Sequence, residues 1–357
     1  MCTWKPLKNK IMSKHRSNVA LPGSAILETT YRCNHHCKFC SCPWFAPDTN
    51  YRKGEELNLE QWEQAINILY ENGVKYFTVS GGEVLLKDCA EGIIRHIREE
   101  GLRRGMHNAI VVITNGLLMS DDWLDLFREL DAHLGMSLPG YSTFEEHTGV
   151  NNADGVLHWF GVAKEKGVES YVGVTVTRKN YHEIGETIAR ALISGASSLL
   201  LNRFLPGGRG LEYMSELMLD TRQIPAMLDI AEDVLSLAGR YGNVGTEIPL
   251  CAVGDPTRFK YLNAGYQCSA AKMFVVVGPS GEIRVCNHSP HIVGNIFADG
   301  VVEDIDYWNL FAEPFKHPSS CTGCRMTNLC TCGCREVAHI LTGDPRKEDV
   351  SVRTHIL

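Results

Sequence analysis

Three cysteines fall close together as Cys33-x3-Cys37-x2-Cys40, directly after a short apolar run. Cysteines in so tight a group, in a chain without a secretory signal, point to metal rather than disulfides. Three thiolates can hold three irons of a four-iron, four-sulfur cube and leave the fourth iron open to a substrate or cofactor atom. A structural site would normally close all four positions. Cys42 follows Cys40 too closely to chelate the same cube comfortably and reads as a spare thiol. A zinc knot is the competing reading of this group.

Cysteines recur near the other end. Cys321, Cys324, Cys330, Cys332 and Cys334 form a second group, with Cys251, Cys268 and Cys286 between the two. Cys2 and Cys89 stand alone as ordinary thiols. The stretch around the last group is poor in large apolar residues and needs metal to hold it together. Fourteen cysteines would suggest a disulfide framework in a secreted chain. No apolar leader opens this one and no run of eighteen apolar residues crosses it, so reduced thiols, a cytoplasmic location and no membrane span are expected. The net charge of −7 gives no strong signal for nucleic acid, and the basic start (Lys5, Lys8, Lys10, Lys14, Arg16) reads as a solvated arm.

Strand and helix signals alternate between these groups. Strands are predicted at 25–31, 76–80, 109–114, 133–138, 171–177 and 198–204. Helices are predicted between them: one from Leu59 with Asn58 as N-cap and Gly73 as stop, one through Ile93, Ile94 and Ile97 ending at Gly101, one capped by Ser120, and two more at 156–166 and 184–194. About six βα units argue for a parallel sheet with helices outside, as an incomplete barrel or an open doubly wound sheet. Either would gather ligands at the C-terminal ends of the strands. Pro206-Gly207-Gly208-Arg209-Gly210 ends the pattern. A helix is expected at 221–240, and a hairpin around Gly278-Pro279-Ser280-Gly281, with Cys268 and Cys286 at its ends.

The first cysteine loop, with Phe39 before its third cysteine, resembles the signature of the radical S-adenosylmethionine superfamily. The resemblance implies an α/β fold, a partial (β/α)6 TIM-like barrel. It also implies a [4Fe–4S] cluster at Cys33, Cys37 and Cys40 whose open iron binds S-adenosylmethionine, and an electron donor of flavodoxin or ferredoxin type. Gly81, Gly82 and Glu83, after the second strand, resemble the turn that binds the cofactor's amino group. Asn115 and Ser137 match further cofactor-contacting positions. The later pattern Cys268, Cys286, Cys321-x2-Cys324-x5-Cys330-x3-Cys334 is similar to the auxiliary-cluster extension called SPASM. By that resemblance Cys268, Cys286 and Cys334 help hold one auxiliary cluster and Cys321, Cys324 and Cys330 a second. The family's last downstream cysteine is missing, so Cys251 and Cys332 are candidate extra ligands and one auxiliary cluster remains an alternative to two.

The domain plan that follows is an arm at 1–23, the core at 24–215, a linking helix and strand at 216–250, the auxiliary-cluster domain at 251–340 and a tail at 341–357. The expected reaction is abstraction of a substrate hydrogen by a 5′-deoxyadenosyl radical and oxidative modification of a peptide. A small-molecule substrate, such as a sugar alcohol or a tetrapyrrole side chain, is the alternative within the same chemistry. A non-catalytic iron–sulfur scaffold is the alternative of another class. Sulfatase-maturing relatives carry an acid after the second hairpin cysteine. Here Asn287 stands there and cannot take a proton, which leaves His288 and His291 as candidate bases. Only 32 residues precede Cys33, too few for the leader-binding domain of some peptide-modifying relatives.

Overall fold

A computed structural model describes residues 17–351. Cys2 and the basic residues of the start lie outside the described residues. Among the described residues the framework is one sheet of eleven strands. Six strands run parallel in chain order: β1 (Ser24–Glu28), β2 (Tyr76–Ser80), β3 (Ile110–Thr114), β4 (Ala132–Ser137), β5 (Ser170–Val176) and β6 (Ser198–Arg203). Among them lie α1 (Leu59–Glu71), α2 (Ala90–Arg103), α3 (Asp121–Glu129), the short α4 (Phe144–Thr148), α5 (Ala153–Lys166) and α6 (Ile184–Ser194). This is the expected partial barrel.

Local chemistry explains the boundaries. Asn58 and Gln61 form a reciprocal capping box at the start of α1, and the Ser120 hydroxyl accepts the Trp123 N–H at the start of α3. The helix expected to stop at Gly101 runs on to Arg103. A Cβ at Gly101 would lie 2.2 Å from Asn108 Oδ1, so this glycine is present for close packing. Gly105, with φ +73°, makes the turn beyond the helix end. In β5, Val172, Val174 and Val176 are buried, while Tyr171, Gly173 and Thr175 line an interior cavity. The alternation of a strand thus sends one face to the hydrophobic core and the other to the site.

After β6 come α7 (Met214–Leu217), α8 (Gln223–Ala238), β7 (Gly242–Val244), α9 (Leu250–Val253) and β8 (Leu262–Asn263). β7 and β8 continue the parallel sheet past β6. The predicted hairpin is β9 (Phe274–Val277) and β10 (Glu282–Arg284), followed by β11 (Gly294–Asn295). The hairpin does not stand apart: β9 pairs parallel with β1 and extends the barrel sheet on its other side. A buried ion pair between Glu28 on β1 and Arg284 on β10 locks that junction. α10 (Ile305–Ala312) and α11 (Arg335–Thr342) complete the chain. No helix among the described residues is long and apolar enough to cross a membrane.

Candidate active site

The first cysteine loop leaves the C-terminal end of β1 and is tied to the turn after β2. Thr29 N–H donates to Ser80 O, Gly82 N–H to Thr30 O and Glu83 N–H to Arg32 O, at 2.8–2.9 Å. A Cβ at Gly82 would lie 2.2 Å from Arg32 O, so only glycine permits this approach. The Glu83 carboxylate is buried and accepts from Thr114 Oγ1 (2.6 Å), Asn115 N (2.8 Å) and Leu85 N (3.0 Å). Burial raises its proton affinity, against these hydrogen bonds. Glu83 therefore already anchors the ends of β2 and β3 to each other. Asn115 donates from Nδ2 to Asn34 Oδ1 (2.7 Å) and so reaches the cysteine loop itself.

Cys33, Cys37 and Cys40 are half-buried and line one cavity with Phe39, Gly81, Gly82, Glu83, Asn115 and Ser137. The residues singled out around the first cysteine motif are therefore together. Burial pushes the Cys33 and Cys37 thiols up, and the charges of Glu83 and Cys40 on Cys33, and of Cys40 and Cys33 on Cys37, add to this. Cys40 is held low, chiefly by a hydrogen bond from the Cys42 thiol, which is itself pushed up by that bond. Cys42 thus acts as a protonated neighbour of Cys40.

The cavity, of about 750 Å³, extends from this loop to Cys268, Cys286 and Cys334. These three are buried, and burial with the neighbouring acids and one another raises their pKa values, that of Cys268 to about 12. Thiols in such surroundings ionise only when a cationic centre offsets their charge, as bound metal does. His35 Nε2, buried in the first loop, has no protein partner and borders the same cavity. Among the described residues no three His, Cys, Asp or Glu side chains converge on a point as a single ion requires. Thiols spread around a cavity suit the wider span of a multi-iron cluster better than a zinc ion with bonds of about 2.3 Å. The donor sets therefore fit iron–sulfur clusters.

With this geometry in view, the comparisons with known proteins are specific. Residues 27–191 match the family model described as the Radical SAM superfamily. Those residues are a radical SAM domain. The enzyme is 23% identical over 318 residues to the antilisterial bacteriocin subtilosin biosynthesis protein AlbA of Bacillus subtilis, covering 87% of this chain and 64% of AlbA, just under two thirds of its length. It is 24% identical over 343 residues to a PqqA peptide cyclase of Xanthomonas campestris, covering 92% and 86%. Among solved structures, Streptococcus suis SuiB bound to S-adenosylmethionine superposes with a TM-score of 0.70 at 17% identity, covering 93% of this chain and 77% of SuiB, which shows a shared fold. S-adenosylmethionine and a [4Fe–4S] cluster are the cofactors of this domain.

Five further cysteines of the enzyme, Cys251, Cys321, Cys324, Cys330 and Cys332, lie outside the matched domain and do not line the cavity. Cys321 Sγ and Cys332 Sγ lie 3.6 Å apart. Cys330 Sγ accepts N–H groups from Leu250 and Cys332, and Cys324 Sγ accepts one from Met326. The Cys332 thiol is pushed up by burial and by its neighbours Cys321, Cys330 and Cys251. Both extra-ligand candidates, Cys251 and Cys332, thus stand with this group and not with Cys268, Cys286 and Cys334.

The two candidate bases separate. His288 is buried on the cavity wall, with Nε2 donating to Pro206 O (2.8 Å) and burial lowering its pKa. His291 is not part of the cavity lining; it pairs with Asp304 (2.8 Å) and stacks on Tyr307. Two cavity-lining acids escaped the sequence reading. Glu247 accepts Ser269 N–H at 3.2 Å, and Glu336 takes the Tyr307 hydroxyl at 2.8 Å. Glu336, two residues after Cys334, was within reach of the motif. Glu247 has no motif around it and enters the site only through the loop between β7 and α9.

Proposed function

We propose that this enzyme oxidatively modifies a ribosomally made peptide. In this reading Cys33, Cys37 and Cys40 hold the first cluster. Phe39, Gly81, Gly82, Glu83, Asn115 and Ser137 surround S-adenosylmethionine. Cys268, Cys286 and Cys334 hold one auxiliary cluster, and Cys321, Cys324 and Cys330 a second, with Cys332 or Cys251 as its fourth ligand. The single observation behind this reading is the shared cavity, lined both by Cys33, Cys37 and Cys40 and by Cys268, Cys286 and Cys334. A substrate held between them sits within reach of both a hydrogen-abstracting and an electron-accepting centre. When bound, the first cluster and its cofactor supply a 5′-deoxyadenosyl radical that removes a substrate hydrogen.

The chain's own groups do the placing. Thr114 and Asn115 fix Glu83, Glu83 fixes the glycine turn, and the turn fixes the cysteine loop. His288 keeps Nε2–H on the Pro206 carbonyl, which holds that wall against the Gly207 backbone. Apolar residues such as Ile113, Met136, Leu200 and Phe311 share the lining and limit water. A peptide substrate is supported by relatives: AlbA serves bacteriocin synthesis by its name, PqqA cyclase acts on a peptide by its name, and SuiB has been solved bound to its precursor peptide SuiA. An external flavodoxin- or ferredoxin-type protein supplies the electron.

The test is anaerobic reconstitution followed by reductant and S-adenosylmethionine. The wild type should release 5′-deoxyadenosine and the Cys33/Cys37/Cys40→Ala variant none. That variant should retain about eight irons if two auxiliary clusters are present and about four if one is. A wild type that yields no 5′-deoxyadenosine would refute the reading.

A further inference from the structure

Pro206-Gly207-Gly208-Arg209-Gly210 follows β6 and folds over the first cysteine loop. Gly210 N–H donates to Cys40 O at 3.1 Å. Gly208 has φ +50°, and a Cβ there would lie 2.5 Å from both the Cys40 and the Cys42 carbonyl oxygens. The turn is glycine-rich because backbone packs on backbone. The residue between these glycines reaches further. Arg209 Nη1 donates to Cys37 O at 3.2 Å, and its guanidinium lies 4.8 Å from the centre of the Phe45 ring.

Two other arginines near the cavity are neutralised. Arg203 is paired with Asp349, and Arg284 with Glu28. Arg209 has no carboxylate within ion-pair distance among the described residues; its partners are a carbonyl and an aromatic face. Its hydrogen bond to Cys37 O holds that charge against the loop that carries Cys33, Cys37 and Cys40. An unneutralised, half-buried cation beside three thiolates has an electrostatic consequence. Adding an electron to a cluster held by three thiolates makes it more negative, and a nearby fixed positive charge stabilises the reduced form more than the oxidised one. Charge and hydrogen bonding around a cluster are among the terms that set its potential.

We propose that Arg209 is a positioning residue that raises the reduction potential of the cluster at Cys33, Cys37 and Cys40, easing its reduction by the external donor. The proposal rests on the cluster assignment given above. Its agent is the charge. The glycine turn fixes the loop's backbone without it, and arginine differs from lysine in its planar fork and stacking more than in its charge.

An anaerobic redox titration followed by electron paramagnetic resonance tests this. The first cluster's signal is the one lost in Cys33/Cys37/Cys40→Ala and altered by S-adenosylmethionine. Wild type, Arg209→Gln, Arg209→Met and Arg209→Lys are titrated, each read on the cluster it retains. Arg209→Gln and Arg209→Met should titrate at a more negative potential than wild type, Arg209→Lys close to wild type, and S-adenosylmethionine affinity should be unchanged throughout. Wild-type potential in the two neutral variants would overturn the proposal. So would a fall in Arg209→Lys as large as that in Arg209→Gln, or lost cofactor affinity at an unchanged potential. A wild type with no cofactor-responsive signal would instead sink the cluster assignment, a result separable from these.

Discussion

The loop of Cys33, Cys37 and Cys40 springs from β1, a strand paired with β2 on one side and β9 on the other. The stretch carrying Cys321, Cys324 and Cys330 is the reverse case: no residue from 312 to 330 is buried. The first loop is therefore positioned by a folded sheet before any metal arrives. The second has no core of its own, and in the proposed reading metal supplies what burial does not. The comparison also separates roles. The cysteines that line the cavity belong to, or sit beside, the extended sheet; those of the unburied stretch lie away from it and suit electron transfer or structure.

The largest expected effect attacks that contrast directly. Chelating the iron should release residues 312–330 to hydrogen exchange and protease, while β1 to β6 stay protected. A structural metal contributes on the order of 10 kcal/mol to such a segment. Equal protection of both regions after iron removal would break the comparison.

A smaller effect concerns the bond between the regions. Asp349 is buried, pairs with Arg203 on β6 and accepts the N–H of Cys334 at 2.7 Å. Asp349→Ala leaves Arg203 buried without its partner, at a cost of about 3–5 kcal/mol in denaturant unfolding. Some iron at Cys334 should be lost with it. A cost below about 1 kcal/mol would mean that the last motif docks on the barrel by other contacts.

Within the barrel alone, Asn58→Ala removes the α1 capping box and should cost about 1 kcal/mol with no change in iron content. The smallest effect lies in the C-terminal region. Glu336 raises the pKa of His339 above 6.5 through a hydrogen bond of 3.1 Å. A group whose folded pKa is raised stabilises fully below its unfolded value and loses that contribution as pH rises through the folded value. Stability should therefore decline slightly, by less than about 1 kcal/mol for this partly exposed pair, as pH rises above 6.5. His339→Gln should remove that dependence, as thermal melts across the range would show.

What the sequence revealed and what it hid divide along the same line. Asn58, Ser120 and the β-branched run at 110–114 act locally, and caps and strand alternation are local signals. The cysteine spacing is local too, and it located Cys33, Cys37, Cys40, Cys268, Cys286 and Cys334 of the cavity lining. The parallel pairing of β9 with β1 joins segments about 250 residues apart in register, such as Ala25 with Val275, and no periodicity announces it. Glu247, Arg209 and Asp349 gain their meaning from partners far along the chain: Ser269, Cys37 and Arg203. Gly101 misled because a glycine near a helix end usually stops it, whereas this one makes room for Asn108.

The proposed radical chemistry depends most on an iron that the three thiols of the first loop leave without a protein ligand. Magnetic resonance of the reduced enzyme with S-adenosylmethionine labelled with nitrogen-15 at its amino group and oxygen-17 at its carboxylate would test this. Hyperfine coupling from both labels to the signal that vanishes in Cys33/Cys37/Cys40→Ala is the result predicted. A reduced cluster at that site with no coupling to either label would contradict it.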